Sequence, residues 1–213
     1  MKKTLWTFGS SNTIPFNKLA YAGEEYIKWK GYIPKIWPEI IAEKLDLELK
    51  NLAIGGCDNY TIFELICETI NKIKEGDLII IAWTSELRFR MVSEIDDNKW
   101  EYIIPNFDNT DTNFKKTISK NTLNEILYNR KSKKYIDEVG NWTRLIDKAF
   151  HMNKVVHWSN FIKHTYIHRI NYCEKINAET NGEIDDLHFS EKGNIQLVDV
   201  LMNIIEPNSK TLV

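Results

Sequence analysis

Six consecutive apolar residues, Leu78-Ile79-Ile80-Ile81-Ala82-Trp83, follow Gly76-Asp77 and stop at Thr84-Ser85. A strand with one wet face alternates apolar and polar residues, whereas a strand covered on both faces reads as an unbroken run. Six residues is the length of a strand and too short for a buried helix, so the run predicts the centre of a parallel sheet with helices on either side. That arrangement commits the rest of the chain to supplying strands and crossover helices.

The neighbouring segments meet the requirement. Leu5-Trp6-Thr7-Phe8 predicts a first strand ended by Gly9-Ser10-Ser11-Asn12-Thr13, and Leu47 to Ile54 a second, stopping at Gly55-Gly56. Between them lies a loop around Tyr21-Ala22-Gly23 and Gly31-Tyr32. Ile36, Trp37, Ile40, Ile41 and Leu45 then recur at helical spacing after Pro34. Ile62, Leu65, Ile66, Ile70 and Ile73 do the same as far as Gly76, with Asp58 or Asn59 as the cap. Alternating strands and helices imply right-handed βαβ units. The regularity fades beyond Glu86: residues Asp96 to Lys116 predict a loop or small excursion around Tyr102-Ile103-Ile104-Pro105. Leu123 to Met152 predicts helix in two pieces broken near Gly140. Val155-Val156-His157-Trp158 is a short strand, a weaker one lies near Ile167 to Tyr172, and Ser190 to Ile205 is a terminal amphipathic helix.

With 213 residues, 43% of them hydrophobic, the chain is long enough for one domain with a substantial core, 1–213, carrying a helical or loop insertion at about 90–150. The 28 Lys and Arg balance 30 Asp and Glu, which gives no overall field for capturing nucleic acid or an anionic membrane. No run approaches the roughly 20 apolar residues that cross a bilayer, and the apolar stretch after Met1-Lys2-Lys3 is too short for a secretory signal. The expectation is a cytoplasmic or virion-associated protein without signal peptide or transmembrane segment. Cys57, Cys67 and Cys173 are odd in number and lack CxxC pairing, so neither a disulfide framework nor a cysteine zinc site is indicated. The oligomeric state has no signature.

Three strand ends carry polar turns: Gly9-Ser10-Ser11, Gly55-Gly56 and Thr84-Ser85. In an open parallel sheet the carboxyl ends of the strands form the ligand crevice. Asp185-Asp186-Leu187-His188-Phe189-Ser190 stands directly before the last helix. A serine on a strand-to-helix turn exposes its hydroxyl and its backbone N–H, an imidazole can take the hydroxyl proton, and a carboxylate can orient the imidazole. That set suffices for nucleophilic acyl transfer. His164 and His168, at i and i+4, have the spacing of a metal pair on a helix, but without a Glu in the HExxH position a solvated or core-edge pair is the better reading. Asp185-Asp186 alone is thin support for magnesium. The Gly55-Gly56 turn lacks both a GxGxxG fingerprint and a Walker lysine, which argues against a nucleotide.

On these residues the chain resembles the SGNH (GDSL-type) hydrolases. Phe8-Gly9-Ser10-Ser11-Asn12-Thr13 is similar to the family's first block, with Ser11 at the nucleophile position. Asn51-Leu52-Ala53-Ile54-Gly55-Gly56-Cys57-Asp58-Asn59 is similar to the second, with Gly56 at the glycine whose N–H faces the oxyanion. Asp185-Asp186-Leu187-His188 matches the Asp-x-x-His block, which makes Asp185 the orienting acid and His188 the base. The resemblance covers about the first 90 residues and the last 30. Two positions depart from it. Ser10 replaces the family's Asp, and Thr84 replaces the third-block Asn, whose amide donates to the oxyanion. Losing one such donor typically costs about 10²–10³ in rate. A Trp-Thr third block followed by Arg, as in Trp83-Thr84…Arg88, resembles phage-type members.

The resemblance implies a three-layer α/β/α sandwich with a mainly parallel, flavodoxin-like sheet. It implies a serine esterase that hydrolyses small O-acyl groups, on carbohydrate first (an acetylesterase), with no cofactor or metal. The oxyanion hole would be Ser11, Gly56 and Thr84, and Asn59, Trp83 and Arg88 are candidates for substrate binding. Alternatives are a degenerate module of the same fold that binds a glycan or protein partner, a lipase- or thioesterase-type acyl hydrolase, and a phosphate-binding flavodoxin-like domain. The surplus length between Thr84 and Asp185 is where substrate choice is expected to be encoded.

Overall fold

In the computed structural model, which describes residues 2–19, 22–92, 100–103, 124–126, 128–129 and 133–207, the apolar run is strand β3, Leu78–Trp83, with all six side chains buried. Its residues alternate between two cores. Leu78, Ile80 and Ala82 face one helical layer, in which α2 (Trp37–Lys44) and α6 (Glu191–Ile205) contribute Trp37, Ile41, Val198 and Leu201. Ile79, Ile81 and Trp83 face the other, with Ile62 and Ile66 of α3 (Asn59–Thr69) and Val139, Trp142 and Ile146 of α4 (Lys133–Ala149). Each fully buried aliphatic of this size adds about 1.5–3 kcal/mol through burial, which is why the strand admits no polar residue.

The main sheet has the order β2-β1-β3-β6-β7, every pair parallel, with β1 at Thr4–Phe8, β2 at Glu48–Asn51, β6 at Lys154–Ser159 and β7 at His168–Arg169. This is the flavodoxin-like arrangement, an α/β/α sandwich whose strand order reverses between β1 and β3. Beyond β3 the chain forms an antiparallel pair, β4 (Phe89–Val92) with β5 (Trp100–Ile103). The expected irregular stretch at 96–116 lies outside the described residues apart from β5.

Two sequence expectations change, those on Gly140 and on residues 22–31, and the reading against a His164–His168 metal pair gains a reason. Helix α4 runs unbroken through Gly140, and the residue there is glycine because the His164 ring lies where a Cβ at position 140 would stand. The glycine is a docking notch, not a break. The segment holding His164 and His168 is not helical: His164 bridges Ile167 and His168 opens β7, so the two imidazoles share no helix face. The loop expected around residues 22–31 is helix α1, Ala22–Lys30, which buries only Gly23 and Tyr26 and so has no apolar stripe for a period search to find. A four-residue helix, α5 (Ile176–Glu179), follows β7. No helix among the described residues is long and apolar enough to cross a membrane.

A third small core joins Ile14, Phe16 and Leu19, which follow β1, to Tyr26 of α1 and to Ile176 and Ile184, which precede α6. It fastens the loop after β1 to the loop before the last helix.

Candidate active site

Strand β1 ends at the point where the strand order reverses, and Ser11 opens a short 3-10 turn there, Ser11–Thr13, closed by Thr13 N–H donating to the Ser10 carbonyl at 2.8 Å. As the first residue of the turn, Ser11 has a backbone N–H with no acceptor inside it. The next residue is held from two sides. The Trp37 indole donates to the Asn12 carbonyl at 3.0 Å, and the Phe189 N–H donates to Asn12 Oδ1 at 3.3 Å. Ser11 and His188 thereby line one small cavity, together with Asn12, Ile14, Phe189 and Asn194. Among the described residues no hydrogen bond joins Ser11 to the His188 ring. Such contacts commonly tighten only when substrate is bound.

His188 is braced by the segment before it. Ile176 N–H donates to the His188 carbonyl at 2.9 Å, Ser190 N–H to Glu174 at 3.1 Å, and Asn177 N–H to the Asp186 carbonyl at 3.0 Å. Ser190 then caps α6 by accepting from Gly193 N–H at 3.0 Å.

The acid paired with the imidazole is Asp186, where the motif pointed to Asp185. Asp186 Oδ1 accepts from the His188 backbone N–H and lies against His188 Nδ1, each at 2.7 Å. Asp185 is exposed and engages no hydrogen bond among the described residues. The cause is local: an aspartate readily turns its carboxylate onto the N–H two residues ahead, and here that turn delivers the same oxygen to the ring. Burial pushes the Asp186 carboxyl up, but the hydrogen bonds and charge of His188, with Lys175 behind them, bring it below its ordinary value. Lys175 lies over the Phe189 ring, 3.6 Å from its centroid. Burial lowers its ammonium to about 8, against the opposing pull of Asp186.

Gly56 stands in a turn with φ +77°, a conformation that favours glycine, two residues after Ile54, whose N–H donates to the Gly9 carbonyl at 3.0 Å. Asn59 is fully buried and clamps the end of β3. Its Oδ1 accepts from Thr84 N–H at 2.8 Å and its Nδ2 donates to the Thr84 carbonyl at 3.1 Å. Ser10 Oγ donates to Thr84 Oγ1 at 3.2 Å. The two positions at which the chain departs from the hydrolase blocks therefore touch each other across the β1–β3 junction. Trp83 belongs to the core, stacked on His157 with its indole N–H donating to His157 Nδ1 at 3.2 Å. Arg88 follows at the start of the β4 excursion, partly buried, with one terminal guanidinium nitrogen fully enclosed and unbonded.

A larger groove of about 1120 Å³ begins at Asp58, two residues past Gly56, and is lined among others by Tyr60, Arg90, Tyr135, Asn141 and Trp142. Arg90 pairs with Glu64 at 2.6 Å and lies 4.5 Å from the Tyr60 ring centroid.

Reading the sequence missed Asp186, Lys175 and Asn12. Asp186 had a signal in the Asp-x-His spacing of an aspartate turn, whereas Lys175 and Asn12 act through contacts far apart in sequence.

No protein-family model matches the chain, and no curated protein matches it. Among solved structures it is similar to a carbohydrate esterase whose active site displays divergent catalytic and non-catalytic binding functions, at 10% identity and a TM-score of 0.45. The match covers 98% of this chain and 66% of that one, so the chain spans just under two thirds of that protein's length.

Proposed function

We propose that the chain is a serine carboxylic ester hydrolase, acting on a small O-acyl ester. The observation that carries the reading is the shared cavity of Ser11 and His188 at the strand-order reversal, with His188 Nδ1 held by a carboxylate. Held in that way, His188 presents Nε2 as the proton acceptor. Ser11 Oγ attacks the ester carbonyl carbon as its proton passes to His188 Nε2, and the oxyanion forms opposite the N–H groups of Ser11 and Gly56. Because Thr84 Oγ1 accepts from Ser10, its own proton is left to serve as a third donor. Collapse of the intermediate breaks the C–O bond to the alcohol, which leaves with the proton from His188. Water attacks the acyl-serine by the same route in reverse, losing its proton to His188 and releasing the acid and free Ser11.

The resemblance in the motif blocks favours an acyl group on carbohydrate, and the exposed ring of Tyr60 beside Trp142 in the adjoining groove suits a sugar face. A binding module without turnover is the second reading, favoured by the altered third block and by the unbonded Ser11–His188 pair. A fluorophosphonate probe separates the two. The expected result is a single adduct on Ser11, absent in Ser11→Ala, together with loss of hydrolysis of a short p-nitrophenyl ester by at least about 10³-fold in that variant. A folded wild-type protein that takes up no probe favours the binding module.

A further inference from the structure

The cavity that Ser11 and His188 share has a volume of about 10 Å³, room for about one water molecule. The rest of its wall is mostly apolar, from Ile14, Phe16, Leu19, Ile36 and Phe189. Ile14 joins this wall to the Gly55-Gly56 turn. It follows Ser11 by three residues, and its Cδ1 lies 3.2 Å from where a Cβ at position 55 would stand, so the glycine leaves the space that this side chain fills.

The wall is backed and has little room to yield. Ile14, Leu19 and Ile36 are at most 8% exposed and pack with Tyr26 and Ile176, both fully buried. A close-packed interior feels a change of one methylene, and extra carbons forced into it displace the side chains around them.

When an ester carbonyl carbon meets Ser11 Oγ, two arms of the ester have to be placed. The alcohol departs with the proton of His188, whose side chain is 28% exposed, so that arm lies toward solvent. The hydroxyls of a sugar would also go unpaired against an apolar wall. The acyl arm is left for the cavity, and a methyl group is about the size of the one water that fits there.

We propose that Ile14 is the acyl-length gauge of this site: it closes the cavity beyond the first carbon past the carbonyl, so that acetyl and formyl esters are taken and longer acyl groups refused. The gauge rests on the hydrolase reading, and the two are tested so that they can fail separately.

The acetate, butyrate and hexanoate esters of p-nitrophenol share one leaving group, so kcat/KM for each, divided by its rate constant with hydroxide, reports acyl room alone. Wild type is expected to lose at least about 10-fold from acetate to butyrate, with hexanoate no better, the usual penalty in a hydrophobic pocket of fixed size. Ile14→Ala should raise the butyrate-to-acetate ratio by about 10-fold or more. Ile14→Val, which removes a single methylene, should move it in the same direction by less and decides the matter if Ile14→Ala does not fold. Equal use of acetate and hexanoate by wild type, or an unchanged ratio in the folded variants, overturns the gauge and leaves the hydrolase standing. Wild-type protein that turns over none of the three esters removes the hydrolase reading and the gauge with it.

Discussion

Asp186→Asn is expected to lower kcat/KM for a short p-nitrophenyl ester by about 10³–10⁴-fold, while Asp185→Asn stays within about threefold of wild type. The two residues are neighbours: the motif points to the first of them, and the carboxylate that lies against the ring is the second's. The carboxylate of Asp186 does two things with one oxygen, accepting from the backbone N–H of His188 and holding Nδ1 of its ring. An amide at position 186 cannot accept from Nδ1–H with the same strength and can instead donate to it, which favours the tautomer with its proton on Nε2, the atom needed as base. Asp185 reaches neither group. The same carboxylate also contributes to stability, because its folded-state value lies below the ordinary one. Its contribution is complete above the ordinary value of 3.8 and is lost as pH falls through the folded value, so Asp186→Asn should flatten the acid limb of an unfolding curve. Kinetics in which Asp185→Asn is the crippled variant would return the role to the first aspartate.

Lys30→Met is expected to lower stability by about 2 kcal/mol, between the value of an exposed pair and that of a fully buried one. In a chain of this size that is a fall of about 4–8 °C in Tm, readable by calorimetry. Lys30 Nζ lies 2.8 Å from Glu179 of α5 and 2.8 Å from Glu191 of α6, and Tyr32 donates to Glu191 at 2.6 Å. Tyr26 donates to Glu179 and accepts the N–H of Glu191 at 2.9 Å, which satisfies a donor at the start of α6. Removing the lysine leaves two carboxylates facing each other beside a phenol. The pH dependence follows from the directions. Burial disfavours the charge on Lys30, but its bonds to Glu179 and Glu191 outweigh that and raise it above 10.5; this part of the stability is whole below 10.5 and is lost as pH rises through the folded value. Burial raises Glu191, but Lys30 and Tyr32 bring it below 4.5; its part is whole above 4.5 and is lost as pH falls. The difference between wild type and Lys30→Met should therefore be flat between about 4.5 and 10.5 and shrink on both sides. A constant difference across the whole range would mean that the lysine acts through packing alone.

The parts of this fold that were legible in sequence are those with local causes. The continuous run of β3 announces burial on both faces, Asp58 and Ser190 cap the helices they precede, and strand ends marked by Gly-Ser-Ser, Gly-Gly and Thr-Ser lie along one edge of the sheet. Helix α1 escaped because its fold-defining contacts are a phenol and an ammonium reaching residues about 150 positions away, as in the Tyr26 and Lys30 bonds to Glu179. Gly140 misled because the ring that occupies its notch comes from a different segment. Asp186 was hidden by the motif itself, since spacing along the chain says which residues are near but not which rotamer closes the ring. Trp83 entered as a substrate-binding candidate only through the third-block resemblance, and the period of two in β3 sends it into the core beside Trp142.

The contact between Asn12 and Phe189 spans 177 residues, and β6 enters the sheet beside β3 only after the chain has travelled from Trp83 to Lys154. Closing loops of that length adds little to the equilibrium cost but slows the encounter, so parallel sheets of this kind complete late. The cavity between Ser11 and His188 has no precursor in either half of the chain: the first strand carries one wall and the loop before the final helix the other. It comes into being only when the two ends of the chain have docked, and a chain in which they have not met has nothing to face Ser11.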